Sequence, residues 1–61
     1  MERIRIGHTV AFVVNDVTLY GVVEKIEQRE DDIVYVIYAN HKLYKNVERR
    51  YVIHDYGELY E

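Results

Sequence analysis

Short apolar stretches alternate with compact polar clusters along the whole chain. Within the stretches the period is two, the spacing at which successive side chains of a strand point to opposite faces. The first strand is predicted from Thr9 to Val14, where Val10, Phe12 and Val14 alternate with Ala11 and Val13. Asn15-Asp16 ends it, because both side chains tolerate turn geometry and bond their own backbone. A longer strand is predicted from Thr18 to about Gln28, carrying Gly21, Val23 and then Ile26. The period slips at Glu24-Lys25, which predicts a bend or bulge there. Arg29-Glu30-Asp31-Asp32, the most polar stretch, forms the next turn.

Ile33 to Ala39 is apolar on both faces, as a central strand would be. Val34 and Val36 are expected to point inward, which turns Tyr35 and Ile37 outward. Asn40-His41 makes a tight turn, and Lys42 to Val47 reads as a fourth strand. A short helical turn near Val47 to Arg50 leads into a last strand, Tyr51 to His54. A second reading stands beside this one. Leu43, Tyr44, Val47 and Tyr51 share a helical spacing, and Asn40 could cap a helix from about His41 to Arg50. The strand reading is favoured. It gives five short strands without a long helix, hence an all-β antiparallel barrel. The chain is read as one domain over residues 1–61, with its core in 7–54 and a tail from 55. The expected core is Val10, Phe12, Val23, Ile26, Val34, Val36, Val47 and Val52.

The run Gly7-His8-Thr9-Val10-Ala11-Phe12, followed by Tyr20-Gly21-Val22-Val23-Glu24-Lys25-Ile26, resembles the opening of KOW and Tudor-type SH3-like barrels. In those barrels a G-x-x-V-x-F run meets a G-x-V-x-x-I run across the first hairpin. A set of small uncharacterised Firmicutes proteins is similar, and Glu48-Arg49-Arg50-Tyr51-Val52-Ile53-His54 fits their last strand. The resemblance covers residues 7–54 and implies a five-stranded SH3-like barrel. It speaks to fold more than to function. The Tudor likeness further implies an aromatic cage for a methylated basic side chain, with Tyr20, Tyr35 and Tyr38-Ala39-Asn40 at similar positions. A cation held among several aromatic faces is stabilised by their negative potential. Two positions depart from that pattern. Val13 stands where an aromatic is expected, and Ala39 where glycine is.

Composition narrows the function. The chain has 61 residues, 49% of them apolar, with seven tyrosines and neither cysteine nor proline. A domain this small leaves about 40% of its unfolded surface exposed after folding, and no disulfide or thiolate metal site can reinforce it. No signal-like or membrane-spanning apolar run is present, so a cytoplasmic location is expected, without membrane contact. Net charge is −3, which argues mildly against nonspecific nucleic-acid binding. The charge is unevenly spread. Residues 24–32 hold five carboxylates against two cations, whereas residues 41–50 hold Lys42, Lys45, Arg49 and Arg50 against Glu48.

No phosphate-binding loop, nucleophile elbow, zinc-protease motif or dinucleotide turn occurs. Serine is absent, leaving Thr9 and Thr18 as the aliphatic hydroxyls. His8, His41 and His54 lie in separate segments without the i, i+4 pairing of a metal site. Glu30, Asp31 and Asp32 are adjacent, so they do not reproduce a spaced calcium loop. No enzyme, cofactor, metal or small-molecule substrate is therefore expected. The expected function is a noncatalytic protein-binding module, such as a phage- or plasmid-type effector that occludes a host protein. Its site would combine Tyr20, Tyr35, Tyr38 and Tyr44 with Asn40 and the basic strip Lys42, Lys45, Arg49 and Arg50, since tyrosine and arginine are enriched at interface hot spots. A partner protein or a second copy of the chain would cover that face. The KOW likeness implies the alternative of RNA or ribosome contact, which needs the four basic residues on one face.

Overall fold

The computed structural model describes residues 3–58. Five antiparallel strands form one sheet: β1 (Thr9–Val14), β2 (Val17–Arg29), β3 (Asp32–Ala39), β4 (Lys42–Glu48) and β5 (Val52–Gly57). A 3₁₀ turn, Arg49–Tyr51, joins β4 to β5. The sheet order is β4-β3-β2-β1-β5. The sheet stays open, since β4 pairs with β3 and β5 with β1 but not with each other.

Turn chemistry sets the register. Asn15 and Asp16 have φ of 50° and 68°, and Asn40 and His41 have 54° and 65°. Two successive left-handed residues match the twist of a two-residue hairpin, and asparagine and aspartate bear that conformation at low cost. These hairpins pair Val14 with Val17 and Ala39 with Lys42. Residues 41–50 are thus strand followed by a 3₁₀ turn, not helix. The slip at Glu24-Lys25 is a bulge: Val23 opposes Ile37 and Lys25 opposes Val36, leaving Glu24 unpaired. A second bulge at Lys45-Asn46, with Asn46 at φ 59°, lies opposite Val36 on β4. Bulges bend a strand and strengthen its twist, so both flanks of β3 curl around one core.

That core joins Val10, Phe12, Val23, Tyr35, Ile37, Ala39 and Val47, with Ile4, Val14, Leu19, Ile33, Tyr44 and Val52 packed partly against it. Phe12 meets Tyr44 edge-on at 5.5 Å, a favoured aromatic geometry. Gly21 sits where β3 presses closest. A Cβ there would lie 2.5 Å from the Tyr38 carbonyl oxygen and 2.8 Å from Ala39 Cβ, so only hydrogen fits.

The structure corrects the sequence reading of β3. Opposition of Val23 and Ile37 puts Ile37 inside, and alternation then carries Tyr35 and Ala39 to the same face. Tyr35 is 4% exposed and Ile37 fully buried. Val34 and Val36 are also buried, but on the opposite face, beside Glu27 and Lys25. Tyr44, opposite Ile37, is inward as well. Ile26 opposes Tyr35 on the core side yet remains 38% exposed; it lies beyond the bulge, where β1 no longer flanks β2. Val52 opposes Phe12 from the edge strand and is only half-buried. The last strand also continues past His54 to Gly57, so the expected tail begins too early. Within that extension Asp55 ties the last strand to the segment before the first. His8 Nδ1 is 3.1 Å from each of its carboxylate oxygens, and the Gly57 N–H donates to Oδ1 at 2.8 Å.

Candidate functional site

The outer face of the sheet carries the surface that folding leaves unexplained. Register pairs Leu43 with Tyr38 and Tyr38 with Val22, a row crossing β4, β3 and β2. Cross-strand partners share a face, and Tyr20 lies on the same side of β2 as Val22 by alternation. Tyr20 in turn opposes Ala11, which opposes His54 on β5. The rings close the row: Tyr20 lies 6.3 Å from Tyr56, and Tyr56 lies 4.3 Å from His54. An apolar and aromatic stripe therefore crosses all five strands. Tyr20, Val22, Tyr38, Leu43 and Tyr56 are between 36% and 60% exposed.

The stripe has a boundary on β3. Val34 and Val36 share its face but are buried, because longer polar side chains flank them. The Arg29 guanidinium donates from Nη2 to Glu27 Oε1 at 2.9 Å and to Asn46 Oδ1 at 2.7 Å, bridging β2 to the β4 bulge. Such stems cover apolar surface while the charged head stays wet. Among the described residues no comparable strap spans Tyr38 and Val22.

The expected site residues separate. Tyr20 and Tyr38 lie on the outer face, with Asn40 in the turn after β3. Tyr35 and Tyr44 lie on the inner face, so the four tyrosines do not form one surface. An aromatic cage from Tyr20, Tyr35 and Tyr38 is not assembled, for Tyr35 is behind the sheet. The basic strip is dispersed too. Lys42 reaches over the Tyr44 ring at 5.3 Å, and Lys45 shares an outer cleft with Glu24 and Glu27. Arg50 bonds Glu48 at 2.8 Å and rests over the Tyr51 ring at 5.2 Å. Arg49 lines a different cleft, on the inner side. The sequence reading missed Tyr56, His54, Val22 and Leu43. Tyr56 fell in the segment read as tail, and Val22 and Leu43 become outward only once register is known.

On the inner face the Tyr35 phenol is the one titrating group clearly perturbed among the described residues. Burial raises its pKa above 10.0; Arg49 lowers it in part, and Asp55 and Asp32 add to the rise. Among the described residues no three histidine or carboxylate side chains gather as a metal site, and no helix is long and apolar enough to cross a membrane.

The arrangement defines a small all-β protein with one bare aromatic face. Compared with protein-family models, curated proteins and solved structures, the chain finds no match.

Proposed function

We propose that this protein is a noncatalytic binding module with SH3-like architecture, and that it engages a partner protein through the outer stripe. The fold reading is supported by the meander of four strands, the return of β5 alongside β1, the bulged β2 and the 3₁₀ turn before β5. The functional reading rests on one observation: five large apolar side chains exposed in a continuous row on one face of a 61-residue domain. Contiguous exposed apolar surface of this kind marks interaction sites, and tyrosine combines a large contact area with a polar tip. The acidic hairpin end and net charge of −3 keep such a surface soluble between encounters. The RNA reading draws no support from the arrangement, because Lys42, Lys45, Arg49 and Arg50 lie on separate parts of the surface.

The test is a double variant, Tyr20→Ser/Tyr38→Ser, compared with wild type in affinity capture from the native host and in sedimentation for self-association. The variant should lose the captured partner, or the dimer, while keeping its melting temperature within a few degrees. Retention of every interaction by the double variant would overturn the proposal, as would a wild type that captures nothing and stays monomeric at high concentration.

A further inference from the structure

The outer stripe is free of fixed charge. From Leu43 on β4 through Tyr38, Val22, Tyr20 and Ala11 to His54 and Tyr56 on β5, the row holds no lysine, arginine, aspartate or glutamate. His54 is its one side chain that can take a positive charge near neutral pH. The acidic excess of the chain lies elsewhere, in the far half of β2 and the β2–β3 turn, between Glu24 and Asp32. Charges of both signs, Glu24, Lys25 and Lys45, begin in the outer cleft beside Leu43.

Both edges of the sheet are poor templates for another strand. β4 is broken by the bulge at Lys45-Asn46, and β5 pairs with β1 through two register shifts. Bulges and lysines on an edge resist strand addition, which leaves the face as the surface for association. The five exposed side chains of the stripe are 36–60% accessible, roughly 350–600 Å² per copy if a whole large side chain offers about 150–250 Å². A two-fold pair uses the same patch twice and so buries roughly 700–1,200 Å² in total, the size of a weak, transient interface. A standard complex with a different protein takes about 800 Å² from each side, more than the stripe provides before its charged border.

Taking the stripe as the interaction surface, we propose that its occupant is a second copy of this chain, packed face to face about a two-fold axis. An axis running along the stripe sets β2, the central strand, over its own copy. Tyr20, the most exposed of the five side chains, then meets Tyr20 of the second copy. The same axis turns the two acidic hairpin ends to opposite ends of the pair, where their like charges are farthest apart. Such a contact is isologous and opposes the same patch to itself. Apolar and tyrosine side chains tolerate that; fixed like charges would not.

Sedimentation and ¹⁵N amide shifts should follow the wild-type chain from about 10 μM to about 1 mM, the range of weak association. The mass should rise from monomer to dimer, and the amides of residues 20, 22, 38, 43 and 56 should shift with it. Tyr20→Ser/Tyr38→Ser should weaken the dimer at least tenfold, as loss of central aromatic contacts does. Val17→Ser replaces a similarly exposed valine, opposite Val14 on the inner side, and should leave the dimer unchanged. A wild type that is monomeric at the highest concentration, shifts confined to the sheet edges or the inner face, or a double variant that dimerises like wild type would overturn the assignment. If a monomeric wild type still captures a host protein through Tyr20 and Tyr38, this assignment alone falls; if it captures nothing, the binding reading falls with it. The dilution series needs no variant, so it decides the matter even if the double variant folds poorly.

Discussion

The two faces of the sheet are similar in composition and opposite in fate. On the inner face Val10, Phe12, Val23 and Ile37 are at most 1% exposed and interlock around the Phe12–Tyr44 contact. On the outer face the same residue types divide along a single strand. Val34 and Val36 are buried on the side of the face where Arg29 bridges Glu27 and Asn46, while Tyr38, at the far end of the same strand, is exposed with Val22 and Leu43. Apolar sequence alone therefore does not mark a core. What separates the regions is which neighbours the register supplies: curled strands inside, bridged polar side chains beside one half of the outside, and no such bridge among the described residues beside the other half.

The inner face should respond most strongly to substitution. Phe12→Ala removes the residue at the centre of the core and should cost about 3–5 kcal/mol, comparable to the whole stability of a domain this size. Chemical denaturation should find the variant largely unfolded in buffer; an unchanged midpoint would show that β1 is packed otherwise. Gly21→Ala should cost less, about 1–3 kcal/mol, through overpacking against the Tyr38 carbonyl and Ala39. A melting curve that matched wild type would mean that β2 and β3 are not held so close there.

On the outer side the expected effects shrink. Arg29→Ala removes the bridge at the Val34–Val36 end of the face, and since the bridge is exposed it should cost no more than about 1 kcal/mol. Its clearer sign would be stronger binding of a hydrophobic dye at this end of the face. The smallest effect is alkaline and belongs to the inner face. Folding raises the Tyr35 pKa above 10.0, so the folded state holds this proton more tightly than the unfolded chain. The stabilisation is complete below the unfolded pKa and is lost as pH rises through the folded one. Stability measured upward from just below the ordinary tyrosine pKa should fall less steeply in Tyr35→Phe than in wild type.

How much of this the sequence carried depends on the kind of signal. Hairpins were legible because Asn15-Asp16 and Asn40-His41 state their turn chemistry locally, and the β2 bulge was legible because a period of two visibly slips at Glu24. The bounds of β1 follow for the same reason. The facing of β3 was not legible. With apolar residues at every position from Ile33 to Ile37, alternation permits both assignments, and a one-residue choice moves every side chain to the other face. Only the Val23–Ile37 pairing decides it. The candidate surface inherited that ambiguity: Tyr20 and Tyr38 were identified, Tyr35 and Tyr44 were put on the wrong side, and Tyr56 was hidden by a last strand that outlasts its apolar pattern through Asp55 and Gly57.

The most direct test sets two tyrosines of β3 against each other, because Tyr35 and Tyr38 belong to one strand and lie on opposite faces. Thermal unfolding of Tyr35→Ala and Tyr38→Ala should diverge. Tyr35→Ala should lose about 3 kcal/mol, which for a chain of this length lowers the melting temperature by more than about 10 °C. Tyr38→Ala should stay within about 0.5 kcal/mol of wild type, as expected for a surface position. A Tyr38 variant that melts early beside a Tyr35 variant that does not would contradict this division of the two faces.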